Sequence, residues 1–282
     1  MSMKYNKMIR TALYYLISTI FAFVMVYPLF WLLSGSFKPG NEVFTNSYQL
    51  IPRHFTLSNY ATGWSGFGGI SFSVFFKNSF LIVVVSTIAQ VFSSVLVAYG
   101  FCRIRFVGSK FWFGLMISTL LLPTQILLIP QYIIFNSLGL INSYWPLILP
   151  HFFGTPFFIF LDMQFIRGIP KELDEAAKID GCSRFSVFFR IVIPLCVPAL
   201  ITSGIFAFYW KWDEFLPPLL YINKVSKYPV SLALRLFIDP SSVSNWGGAF
   251  AMSVLSLIPV FVIFVSMQKY LVEGISTTGL KG

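Results

Sequence analysis

Charge is scarce in this sequence. Asp, Glu, Lys and Arg together make up 11 % of its 282 residues, where an average soluble domain carries about 25 %. So few charges cannot wet the surface of a soluble fold that is 56 % hydrophobic. Composition therefore speaks against a soluble enzyme, a disordered tail and a secreted disulfide scaffold. There are only two His and three Cys, and no spacing among them suits a metal site. Cys102, Cys182 and Cys196 fall on or near the side predicted below to be cytoplasmic, where a structural disulfide is not expected. The phosphate loop G-x-x-x-x-G-K-[ST] is missing, so ATP is not bound here through a P-loop. The richest glycine cluster, Gly66-Phe67-Gly68-Gly69, has no Lys-Ser/Thr after it and reads as a loop. Ionisable residues inside the apolar runs are nearly absent, and so is any repeat of Arg. An ion-coupled carrier and a voltage sensor both lack the residues they need. A membrane-embedded enzyme would need paired acids or a metal cluster at one depth, and none is found.

Long uncharged runs are abundant. A helix needs about 20 predominantly apolar residues to cross roughly 30 Å of hydrocarbon. Uncharged stretches run from Thr11 to Phe37, Asn78 to Cys102, Phe111 to Leu161, Ile191 to Trp210 and Pro240 to Gln268. The third is too long for one crossing and is divided by the turn-forming segment Asn136-Ser137-Leu138-Gly139-Leu140-Ile141-Asn142. The reading is an all-α polytopic membrane protein, one transmembrane domain of six helices near 11–34, 79–101, 111–134, 143–161, 195–217 and 249–270. The first run is longer than the core of a cleaved signal peptide, so it reads as a retained span. With a cytoplasmic N-terminus, most of the 20 basic residues fall inside, among them Lys4, Lys7, Arg10, Arg103, Arg105, Lys110, Arg167, Lys171 and Arg190. The positive-inside rule then places both termini in the cytoplasm (N-in/C-in). Contact with anionic lipid accounts for the net charge of +10 without a nucleic acid partner.

The loop at 162–194 between the fourth and fifth spans is unlike the rest, for it holds half of the chain's ten acidic residues. Pro170 suits the first position of a helix. Lys171 to Asp180 carries Leu173, Ala176 and Ala177 as a narrow stripe, with Glu172, Glu175 and Ile179 opposite. Gly181 stands where a helix would end on a left-handed residue. Ser183 can cap a second helix in which Phe185, Phe188, Phe189 and Val192 repeat at i, i+3, i+4 and i+7. That Phe stripe either lies in the headgroup region or fills a groove on a partner protein.

Glu175-Ala176-Ala177, Gly181 four residues on, and Ile191-Val192-Ile193-Pro194 after nine more closely resemble the EAA loop of ABC-importer permeases, E-A-A-x-x-x-G…I-x-L-P. The one departure is Ile193 in place of Leu. The likeness extends over nearly the whole chain. It includes Tyr27-Pro28, Ser36-Phe37-Lys38, Asn59-Tyr60, Ile129-Pro130-Gln131-Tyr132 and Trp212-Asp213-Glu214-Phe215-Leu216 with Pro218, all similar to the carbohydrate-uptake branch. Asp213 replaces that branch's usual Asn. The tail from Glu273 to Gly282 resembles that of the second permease of a maltose-type system.

The resemblance implies a type I ABC-importer permease in a bacterial cytoplasmic membrane, multi-pass and not itself an enzyme. Its partners would be a sister permease, two ATPase subunits, an extracytoplasmic sugar-binding protein and membrane lipid. No cofactor would be bound by this chain; ATP and Mg would sit on the ATPase. Glu175, Ala176, Ala177, Asp180, Gly181 and Pro194 would form the coupling element, and Thr277, Thr278, Gly279, Lys281 and Gly282 in the tail at 271–282 would reach the ATPase. Segments 35–78 and 219–248 would dock the binding protein. For the substrate path, aromatic faces and neutral polar groups suit sugars. The candidates are Gln125, Gln131 and Asn136 near the third span and Tyr209, Trp210, Trp212, Asp213 and Glu214 near the end of the fifth. The aromatics fit an interfacial belt equally well, and Lys211 beside the two acids fits a rim charge cluster. The competing reading is an ATP-independent carrier or channel.

Overall fold

Uncharged runs with no water to bond their backbone must satisfy every N–H and C=O internally, and helices do so. The computed structural model describes residues 2–45, 48–238 and 245–279. Among these the chain is mostly helical, and no strand occurs beyond an isolated bridge between Phe67 and Ile70. The elements used below are α1 (Ser2–Ser36), α2 (Ser58–Ser65), α3 (Phe72–Arg103), α4 (Ser109–Thr119), α5 (Thr124–Ser137), α6 (Pro156–Gly168), α7 (Glu172–Ile179), α8 (Arg184–Leu195), α9 (Val197–Asp213) and α11 (Trp246–Gly279), with α10 (Leu216–Tyr221) between the last two.

Four stretches among the described residues are long and apolar enough to cross a membrane: Lys7–Ser36, Phe72–Arg103, Trp145–Gly168 and Trp246–Tyr270. Two further candidates are bent pairs, α4 with α5 at 100° and α8 with α9 at 76°. The count rises to six if each pair is one span.

The boundaries depart from expectation in four places. The stretch expected at 111–134 is broken at 120–123, where Pro123 is extended (φ −60°, ψ 129°) ahead of α5. A proline here cannot donate to the helix and disfavours helical geometry before it. The stretch expected at 143–161 runs on to Gly168, so Asp162, read as the start of the loop, lies inside α6 and is 1 % exposed. It is held there by a 2.9 Å hydrogen bond donated by Ser203 Oγ. The fifth stretch ends at Asp213 rather than 217, because Pro217 and Pro218 belong to the next helix. The tail begins as a continuation of α11, whose backbone is helical through Gly279.

The chain divides into two compact units, residues 1–72 with 234–257, and residues 73–233 with 258–282. In the first, the end of α1 is closed by α2. Asn59 Nδ2 donates to Ser36 O at 2.9 Å and Lys38 O at 2.7 Å, two carbonyls at and just beyond the helix end. Lys38 is itself buried, its Nζ donating to Gln49 O at 2.6 Å. Burial pulls its pKa below the usual lysine range, with Glu42 acting in the opposite direction.

In the second unit, Val95, Ala98 and Tyr99 of α3 pack with Ile159, Met163 and Ile166 of α6 and with Ala177, Val187, Phe188, Val192 and Cys196 of the loop region. Each large apolar side chain buried in this way contributes roughly 1.5–3 kcal/mol. The loop is therefore part of the core, and its orientation is fixed.

Candidate functional site

The loop begins where α6 stops at Gly168, and Pro170 precedes the next helix by two residues instead of opening it. Glu172, Asp174 and Glu175 fill the first turn of α7 and Lys178 the last, charges placed to suit the helix dipole. Gly181 has φ +79°, a left-handed conformation that glycine adopts without steric cost. Ser183 then caps α8, its Oγ accepting from Ser186 N at 3.2 Å.

The stripes grouped by periodicity are each divided between a buried and an exposed side. In α7 the buried residues are Asp174 and Ala177, while Leu173 and Ala176 of the expected stripe are exposed. Asp174 is drawn inward by Arg103 at the end of α3, Nε to Oδ2 2.9 Å. Glu175, Ala176, Lys178, Ile179, Asp180 and Gly181 are left exposed. In α8 the inward side chains are Val187, Phe188 and Val192, whereas Phe185 and Phe189 face out at 71 % and 52 % exposure. Residues Phe188–Val192 form a π-helical turn, and the pairs Phe185/Phe189 and Phe188/Val192 lie on opposite faces, so the stripe is split between them. Pro194 is exposed near the end of α8.

Two groups of α3 hold this loop. Arg103 Nη2 donates to Ile169 O at 2.7 Å, and Tyr99 OH donates to Arg184 O at 3.1 Å. The Tyr99 ring also lies 5.0 Å from that of Phe188. Sequence reading counted Arg103 only as an orientation charge. The pairing signal, a lone basic residue at a helix end and an acid inside the loop, was present but its geometry was not.

A second feature of the same unit is a cleft of about 430 Å³, within the size range of small-molecule sites. Leu120 and Leu122 of the break between α4 and α5 line it, together with Gln90, His151, Thr155, Phe157, Phe158, Trp210, Lys211 and Glu214. Non-helical backbone at membrane depth is tolerated only where it is buried in protein or borders a water-filled cavity. Gln90 organises the polar wall. Its Oε1 accepts from Thr155 Oγ1 at 2.8 Å and meets His151 Nδ1 at 2.7 Å, and its Nε2 donates to Ser94 Oγ at 2.9 Å. An amide oxygen only accepts, so His151 presents an N–H at Nδ1 to it. Lys211 Nζ donates to Glu214 Oε2 at 2.6 Å, with the lysine side chain 6 % exposed. The lysine is thus a buried member of the wall and not a rim charge.

Of the residues expected on a substrate path, Trp210 and Glu214 line this cleft. Trp212 does not; it is stacked on Phe208 at 5.6 Å and packed in the core beside Val83. Gln131 is half-buried and accepts from Tyr221 OH at 3.4 Å. Gln125, Asn136, Tyr209 and Asp213 are exposed and do not line the cleft. Gln90, His151 and Thr155 were missed, since nothing in their spacing brings residues from two distant segments together. Of the tail residues, Thr277, Thr278 and Gly279 continue the α11 backbone, and Lys281 and Gly282 lie outside the described residues.

Residues 90–277 match the model of one family, "Binding-protein-dependent transport system inner membrane component". The chain is 37 % identical over 264 residues to the probable ABC transporter permease protein YurM of Bacillus subtilis, covering 93 % of this chain and 86 % of YurM. It is 31 % identical to the galactooligosaccharides transport system permease protein GanQ of the same organism, with 99 % of each chain covered. A crystal structure of a bacterial ABC transporter involved in import of the acidic polysaccharide alginate contains a chain of the same fold, with TM-score 0.82 and 22 % identity over 94 % of this chain and 97 % of that one. The matched region contains both the loop held by α3 and most of the cleft wall, and the chain belongs to this family of membrane-embedded permeases.

Proposed function

We propose that this chain is one of two permease subunits of an ATP-driven, binding-protein-dependent sugar importer, and that α7 with Gly181 is its coupling element to the ATPase. The observation that carries this reading is the geometry of α7. Its inner side is locked into the core by Asp174 and Ala177, and its outer side offers Glu175, Ala176, Ile179 and Asp180 to a partner. Glu175 and Asp180 supply polar contacts, Ala176 allows close approach, and Ala177 seats the helix from within. Pro194 marks the return of the chain to the membrane. Phe185 and Phe189, both outward, extend the apolar part of the same docking surface.

In this reading the six helical stretches are six spans with both termini cytoplasmic. Nucleotide and Mg belong to two copies of a separate ATPase, since the sequence holds no P-loop, and the tail at 271–282 reaches toward them. The apolar side chains of α1 from Met8 to Phe30 are exposed, a surface for lipid and for a sister permease. An extracytoplasmic binding protein delivers the sugar to segments 35–78 and 219–248, and the cleft with Trp210, Glu214 and Gln90 is this subunit's share of the path. Closure of the ATPase dimer would move α7 as a rigid lever between two packings. The transition is driven because ATP and the loaded binding protein favour one of them. The substrate class follows from the name of the GanQ relative together with the aromatic and amide lining of the cleft.

Purification of the tagged chain from its native membranes in mild detergent, followed by mass spectrometry, tests the assembly. A P-loop ATPase and a second permease are expected to co-purify at stoichiometric levels. Isolation of the chain alone across several detergents would count against the importer.

A further inference from the structure

We infer that Arg103 and Asp174 form a clamp that makes α3 and the coupling helix one rigid body, so that α3 is the span that receives the push from the ATPase; this rests on the function proposed above. Three helix ends converge on one guanidinium. Arg103 is the last residue of α3, Ile169 is the residue that closes α6, and Asp174 lies in the first turn of α7. The guanidinium donates to Ile169 O at 2.7 Å and sits 2.9 Å from Asp174 Oδ2, with both side chains nearly buried at 4 % and 10 % exposure. A cation at the C-terminal ends of α3 and α6 and a carboxylate at the N-terminus of α7 each meet the helix dipole in its favourable sense.

The pair is held by charge more than by a directed bond. Arg103 Nε lacks hydrogen-bond geometry toward the carboxylate, and Asp174 Oδ1 has no partner. A carboxylate this buried has little other compensation, so α7 keeps its inward face only while Arg103 stays beneath it. Lysine keeps the charge but is a poorer substitute, because a single ammonium lacks the extended guanidinium whose Nη2 bonds the Ile169 carbonyl while its charge stays beside the carboxylate. Tyr99, one helical turn earlier on α3, fastens the other arm of the loop through Arg184 O. Both arms of the loop are thus tied to the same end of the same span. These are positioning residues, and their effect is on how much of the ATPase motion reaches the membrane.

The readout is the amount of sugar imported per ATP hydrolysed by the assembled importer in proteoliposomes, with a tritiated mixture of neutral and uronate-containing oligosaccharides as probe. Asp174→Asn, which keeps the size and drops the charge, is expected to lower that ratio about tenfold at matched abundance. Asp174→Glu, which keeps the charge, is expected to stay within twofold of the parent. Should Asp174→Asn fail to accumulate, Arg103→Lys serves in its place, with an expected threefold drop. A purely structural role would lower import and hydrolysis together and leave the ratio unchanged, and that result, or a parental ratio in Arg103→Lys, overturns the clamp. If the parent complex hydrolyses ATP and imports nothing, it is the importer reading itself that fails.

Discussion

Gly181→Trp is expected to cut ATP-dependent sugar uptake by at least tenfold, while Gly181→Ala costs far less. The comparison separates two effects of one position. At φ +79° any non-glycine residue is strained, by about 1–2 kcal/mol. Alanine and tryptophan share that strain, and within the chain a Cβ at this position meets nothing within 4 Å. The turn is exposed and a first side-chain atom meets open space, so a partner seated against it is expected to reject the larger side chain far more than the smaller, and equal membrane abundance of the two variants checks that the fold holds both. Glu175→Lys is the companion test. The residue is exposed, and exposed substitutions of this kind usually change stability by no more than about 0.5 kcal/mol. A tenfold fall in uptake at equal membrane abundance would then report a lost contact with the ATPase. Uptake unchanged in both Gly181→Trp and Glu175→Lys would remove the coupling assignment.

The second large effect is expected in the cleft. Lys211→Met removes the cation paired at 2.6 Å with Glu214 and leaves that carboxylate without it. Breaking a buried pair by removing one partner costs about 3–5 kcal/mol. The lower end applies here, because the Glu214 side chain keeps 27 % of its exposure. Adding Glu214→Gln removes the orphaned charge, and the double variant is expected to recover most of the loss. Thermal unfolding of the purified complex in detergent reads both steps. A double variant as unstable as Lys211→Met would mean that packing of the lysine stem, and not its charge, matters at this site.

How much of this could be read in advance depends on the range of the forces involved. Apolar runs and local backbone preferences act within a few residues, and they placed the long apolar stretches, the Ser183 cap and the left-handed Gly181. The facing of α7 could not be read in advance because Asp174 turns inward toward Arg103, a partner on a different span that periodicity does not contain. The Phe stripe of α8 divides because Phe188 and Val192 pack into a core with α3 and α6, spans distant in sequence, while Phe185 and Phe189 stay outside it. Asp162 was assigned to the loop because a carboxylate in a span is expensive; Ser203, from a distant segment, supplies the hydrogen bond that accompanies it inside. The cleft was only half legible for the same reason. Trp210 and Glu214 stand close in sequence, but Gln90, His151 and Thr155 join them through the packing of separate spans. Trp212, equally conspicuous in the sequence, is spent on the core.

In the function proposed above, this permease moves sugar only when a separate ATPase pushes on it. The most direct measurement is uptake of the tritiated oligosaccharide mixture into proteoliposomes holding the purified complex with its binding protein, with and without ATP. Uptake is expected to need both ATP and binding protein and to fall to background when either is withheld. Uptake at an undiminished rate without nucleotide, or from the permease chain with no ATPase present, would contradict it and point to an ATP-independent carrier.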